Sequence, residues 1–237
     1  MIHHVRPRSA FLVLLCMFAP AISAEPDTAK AERAIINAAN KLRAANTLQK
    51  LQTNRTLTQT ALAFARFMAS TGKYGHDADG RSPEQRARQR GYEYCIVAEN
   101  IAYSFSTPAP TSEQLAQQFA QGWENSPPHR KNLLDPDVTQ IGVAVARSAQ
   151  TGYYYAVQLF GRPKSDAITF QIENRSGDTI SYMLGDRALS LPPSTTRKHQ
   201  QCGHGELKLG ASAITPKNNE RYTVIKDGPG KFRLVKP

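Results

Sequence analysis

Cysteine is sparse in this chain, and Cys16, the first of its three, lies inside an N-terminal apolar run. Long apolar stretches are equally sparse. That one run, AFLVLLCMFAPAI, is too short to cross a bilayer, and no other segment comes close. The usual enzyme signatures are missing: there is no G-x-S-x-G, no G-x-G-x-x-G, no P-loop and no H-E-x-x-H. These absences argue against serine-elbow hydrolases, dinucleotide and nucleotide folds, and zincin proteases. Cys202-Gly203-His204 offers one thiol and one imidazole, which do not make a metal site. Aromatics are absent from the densest basic run, RSPEQRARQRG, which argues against single-stranded nucleic acid, whose bases need rings to stack on. That run reads instead as a short helix. Ser82 and Gln85 form a capping box, Pro83 opens the helix, Gly91 ends it, and its arginines form a solvated face.

What is present begins with a targeting pattern. Arg6 and Arg8 precede the apolar run, and SAEP follows it, so residues 1–24 read as a cleaved signal peptide and the protein as secreted or periplasmic. Cleavage removes two basic residues and lowers the net charge from +11 to +9. A basic exported protein can meet anionic lipid or acidic polysaccharide, although such charge also simply aids solubility. Two cysteines remain, Cys95 and Cys202. An oxidising compartment favours a bond between them, while two free thiols stay open as the alternative. Sequons at Asn54 and Asn174 would matter only in a glycosylating host.

The order of elements is α+β. Helical periods run over residues 29–45 and 58–70, then come the capped short helix, the loop or strand GYEYCIVAENIA, and a helix in SEQLAQQFAQGW. In that helix Leu115, Phe119 and Trp123 line one face. WENSPPHRKNLL reads as a further helix start, with Ser126 as cap, Pro127 in the first turn and His129 at the third position. TQIGVAVARS and GYYYAVQLFG alternate as a hairpin. Residues 162–165, RPKS, read as a linker. Beyond it, ITFQIEN, TISYML, ELKLG and RYTVIK-DGPG-KFRLVK are strand-like. The chain therefore divides into 25–162, helices packed on a sheet, and 166–237, a small all-β appendage.

His76, Glu99 and His129 lie in loops or at a helix start. Two imidazoles and one carboxylate are the ligand set of an open zinc site and equally a set for acid–base work. Spacing alone does not bring them together. However, GHDADGRSPEQRARQRGY, AENIA, WENSPPHRKNLLDPDVTQIGVAVA and YYYAVQLFG, in that order, resemble the bacterial branch of the CAP superfamily. That superfamily comprises the cysteine-rich secretory proteins, antigen 5 and pathogenesis-related 1 proteins, or SCP domains.

The resemblance implies a CAP-like α-β-α sandwich followed here by the β appendage. It also implies a cavity lined by two histidines and two acids that can bind zinc or another divalent cation. His76 matches the first histidine, Glu99 the acid of the E-N-I motif, and His129 the second histidine. The second acid is missing, because Ser126 stands in its place and Glu124 falls about 200° away around the helix. Three functions follow. The first is a binding module for a metal, a lipid or sterol, or a polyanion. The second is a metal-dependent hydrolase using His76, Glu99 and His129 as catalytic groups, and the third a structural envelope or matrix protein.

Overall fold

The computed structural model describes residues 25–236, so the signal-peptide reading falls outside the described residues. Helix α1 (Thr28–Ala45) starts where Asp27 accepts a hydrogen bond from the Lys30 amide, and it buries Ala31, Ile35, Ala39 and Arg43 at helical spacing. Helix α2 is Arg55–Thr71, three residues longer at its start than its apolar period indicates. The extra turn exists because the Asn54 side chain caps the Leu57 amide, and Gly72, at φ 70°, closes the far end. Helix α3 (Pro83–Gln89) carries the expected Ser82/Gln85 capping box. Helix α4 (Ser112–Glu124) carries a second one, Thr111/Gln114.

The strands β1 (Gln52–Thr53), β2 (Tyr94–Ser104), β3 (Gln140–Arg147) and β4 (Tyr154–Pro163) form one sheet in the order β1-β3-β4-β2. Only the β1–β3 pairing is parallel. Its two faces are covered differently. Trp123, Phe119, Leu115 and Ile35 from α4 and α1 pack with Val143, Val145 and Phe160 on one side. Leu57, Phe64 and Met68 from α2 pack with Ile101, Val157 and Leu159 on the other. The α-β-α sandwich follows from this alternation along the strands. At Gly142 the start of α2 lies directly on β3, where a Cβ would come 2.3 Å from the Thr58 nitrogen. Only glycine fits.

Residues after β4 build a second core. The strands β5 (Ile168–Asn174), β6 (Ile180–Leu184), β7 (Arg187–Leu191), β8 (Thr196–Gln201), β9 (Leu207–Leu209), β10 (Ser212–Ile214), β11 (Arg221–Lys226) and β12 (Phe232–Val235) form two four-stranded sheets. Phe170, Ile172, Tyr182, Leu207 and Tyr222 fill the space between them. The run RPKS is less of a linker than its composition indicates: Arg162 and Pro163 are still in β4, and a single 3-10 turn (Lys164–Asp166) leads into the appendage. Cys95 and Cys202 are bonded, with Cα atoms 5.3 Å apart, and join the appendage to the start of β2. Beside that bond the His204 amide donates to Asp137 at 2.6 Å. The sequon at Asn174 has no accessible acceptor. Its side-chain amide is fully buried and donates to the carbonyls of Asp178, Leu191 and Pro192.

Candidate functional site

Glu99 points from β2 into the α2 side of the sheet, and its side chain is 1% exposed. A carboxylate there requires partners. Arg86 supplies most of them: its Nη2 donates to both oxygens of Glu99, at 3.0 and 2.8 Å. His76 adds a third bond, its Nδ1 donating to Glu99 Oε1 at 2.8 Å. The same guanidinium gathers the loop around it. Arg86 Nη1 donates to Asp79 Oδ1 at 2.9 Å, to the His76 carbonyl at 2.9 Å and to the Arg81 carbonyl at 2.6 Å. It also lies over the Phe64 ring, 3.5 Å from the centroid. Arg86 is 5% exposed, so the solvated arginine face expected of this helix is broken at its centre. The reason is tertiary: the buried charge of Glu99 lies thirteen residues away and leaves no mark on the local pattern.

His129 arrives from α5 (Pro127–Leu133), at its third position. Ser126 is the N-cap residue, but its side chain makes no capping bond. Pro127 and Pro128 have no N–H, so of the first three helical positions only His129 offers an amide to cap. The helix is held from the other side. Asn132 donates to the Glu99 carbonyl and to Asn100 Oδ1, and Asn100 donates to the His129 carbonyl. Sequence alone does not mark this asparagine pair as part of the site. Asn100 stands in the AENIA segment, but nothing near it in the chain points to its partner.

The electrostatics separate the two imidazoles. The bond to Glu99 raises the pKa of His76, with burial opposing it. Burial lowers the pKa of His129, and the nearby charge of His76 lowers it further. His76 is 52% exposed at its side chain and His129 is half-buried, so both rings reach solvent. With Nδ1 committed to Glu99, His76 presents Nε2 outward. The two rings thus have opposite preferences for the proton, and each can hydrogen-bond to what reaches it from solvent.

The donor set does not fit a resident zinc ion. Glu99 already receives three hydrogen bonds, which leaves two imidazoles where four ligands close a structural site and three make a catalytic one. Among the described residues, no three His, Cys, Asp or Glu side chains gather where they could hold a metal. Glu124 does not replace the missing acid, since it lines a small cavity with Ile35, Ala120 and Trp123.

The model of the Cysteine-rich secretory protein family, CAP, matches residues 36–160. The uncharacterized protein YkwD of Bacillus subtilis (strain 168) is 29% identical over 141 residues, 59% of this chain and 51% of that protein. The uncharacterized membrane protein YlbC of the same organism is 28% identical over 121 residues, 51% of this chain and 33% of that protein. The chain thus spans about half the length of one of these relatives and a third of the other. Among solved structures, an outer surface protein of Borrelia burgdorferi shares the fold with a TM-score of 0.51 at 22% identity. That match covers 59% of this chain and 98% of the other. An extracellular SCP-domain protein of Bacillus anthracis str. Ames gives a TM-score of 0.48 at 26% identity, over 57% and 41% of the two chains.

Proposed function

Because this chain belongs to the cysteine-rich secretory protein (CAP) family, we propose that it is an exported binding module that grips a polar ligand with His76 and His129. The observation that carries this reading is the commitment of Glu99. Its carboxylate is engaged by Arg86 and His76 and its side chain is 1% exposed, so it is a brace for one imidazole and is shielded from a metal or a water in solvent. What faces outward is a pair of rings, one a ready donor and one a ready acceptor. A divalent cation would meet two imidazoles and water, would be held weakly, and would leave as the rings protonate. Export is supported by the N-terminal targeting pattern and by the Cys95–Cys202 bond, which belongs in an oxidising compartment. Among the described residues, no helix is long and apolar enough to cross a membrane.

The test is to purify the exported protein and a His76→Gln, His129→Gln double variant without chelator. Native mass spectrometry should find a small-molecule adduct that only the wild type keeps. Elemental analysis should find zinc far below one ion per chain. Stoichiometric zinc that depends on both histidines would contradict the reading.

One observation favours a second reading. Neighbouring groups whose pKa values are pushed apart are the mark of an acid–base pair. His76, raised, would serve as the acid and His129, lowered, as the base of a hydrolysis. A bell-shaped pH–rate profile that each single histidine variant abolishes on one side would establish it.

A further inference from the structure

Among the described residues, the large hydrophobic side chains that stand exposed are Tyr74, Tyr103 and Phe105, at 46, 54 and 51%. All three lie in one patch. Tyr74 packs edge-on against Tyr103, centroids 4.9 Å apart. Tyr103 meets Tyr153 at 5.7 Å, and Tyr153 meets Phe105 at 5.0 Å. Tyr155, directly across the ladder from Tyr103, supports it from below. The rings are fixed as well as exposed. The Tyr74 hydroxyl donates to the Ile101 carbonyl at 3.1 Å. Phe105 rests against Gly152, where a Cβ would lie 3.4 Å from its ring and the backbone has φ +75°.

The patch is continuous with the site. Tyr74 is two residues before His76. Glu99, Ile101 and Tyr103 alternate onto one face of β2, so Tyr103 lies about 13 Å along the strand from Glu99. The file of rings therefore begins beside the imidazole pair and runs outward along the sheet to Phe105.

We propose that this file is a platform for an extended, uncharged polysaccharide chain, which lies along β2 and brings one sugar to His76 and His129. The proposal rests on the reading of those histidines as a binding site and names the class of ligand. The chemistry of the rings selects the occupant. The axial C–H groups of a pyranose ring carry partial positive charge and meet the negative face of an aromatic ring, while its hydroxyls bond to tyrosine hydroxyls at the edge. A fatty chain or sterol needs an enclosed apolar cavity, and this file is open and bears hydroxyls. Single-stranded nucleic acid needs a basic groove among the rings. No charged side chain belongs to the file, and the neighbouring Arg147 is paired with Glu25 at 3.2 Å. A protein partner would bury about 800 Å² on this side. The three exposed rings offer roughly 300 Å² together, taking about half of the 150–250 Å² an aromatic side chain presents.

The experiment is calorimetry of the disulfide-intact protein with the β-1,4-linked hexasaccharides of glucose and of N-acetylglucosamine. The wild type should bind at least one of them. Tyr103→Ala and Phe105→Ala should each weaken that binding about tenfold, the loss expected for one stacked ring. Both residues are about half exposed and lie outside the buried clusters, so the variants should stay folded, with wild-type circular dichroism and a cooperative melt above the assay temperature. His129→Gln is the separating arm. If it and the ring variants both lose affinity, the platform and the imidazole site hold one chain, as proposed. If His129→Gln weakens binding while both ring variants bind like wild type, the histidine site stands and the platform is overturned. No binding of either hexasaccharide, or binding of a polyproline peptide in their place, overturns the platform as well.

Discussion

Arg86 and Glu99 form the residue-scale hinge of the site. Two charges this deeply buried stay only as a pair, since either one alone would be stranded without solvent. Arg86→Ala should therefore destabilise the protein by about 3–5 kcal/mol in urea unfolding, far more than an exposed arginine would. Arg86→Lys should recover only part of the loss, because one ammonium cannot bond both carboxylate oxygens and hold the 76–81 loop as well. A cost below about 1 kcal/mol for Arg86→Ala would show that the pair is not formed. The histidines and Glu99 are legible in the sequence as unusual polar residues within ordered motifs. Arg86 is not. It sits in a run of arginines on a well-capped polar helix, and a buried arginine has the same local context as its solvated neighbours.

At the scale of elements, helix starts and stops are readable where a side chain near in sequence makes the bond. Ser82 with Gln85 and Gly72 at the end of α2 are examples. The expected Ser126 cap does not form, although the His129 amide is present at the position a serine caps. Strands β7 and β8 are illegible in sequence for another reason. RALSL and TRKHQQ are edge strands with one wet face, so their polar residues hide the alternation. The contact of α2 with β3 makes the sharpest demand at this scale. Gly142→Ala places a methyl group inside the backbone of Leu57 and Thr58. The helix must lift, and overpacking of this kind should cost roughly 1–3 kcal/mol in thermal unfolding. An unchanged melting temperature would mean that α2 does not seat on β3 as described.

The described residues form two cores joined by a short turn and one disulfide. The apolar clusters on either side of Arg162 share no buried residue, which is why the change from helical to strand period is visible in sequence. Which side of the first core the appendage docks on is not visible there, because the docking residues Asp137, His204 and Arg162 are polar and far apart in the chain. The Cys95–Cys202 bond spans 107 residues. Replacing both cysteines with serine should lower stability by roughly 4–5 kcal/mol on the chain-entropy model, read by denaturant unfolding with and without reductant. Wild-type and variant curves that coincide under oxidising conditions would contradict the bond. The central claim is likewise one of assembly: the loop before α3, the strand β2 and the start of α5 bring His76 and His129 to one site. NMR pH titration of the ring protons tests it most directly. His76 should titrate above the ordinary 6.5 and His129 below it. In a His76→Gln variant the His129 midpoint should move upward, because the positive charge beside it is gone. A His129 midpoint that is ordinary in the wild type and unmoved in the variant would show two independent histidines and no shared site.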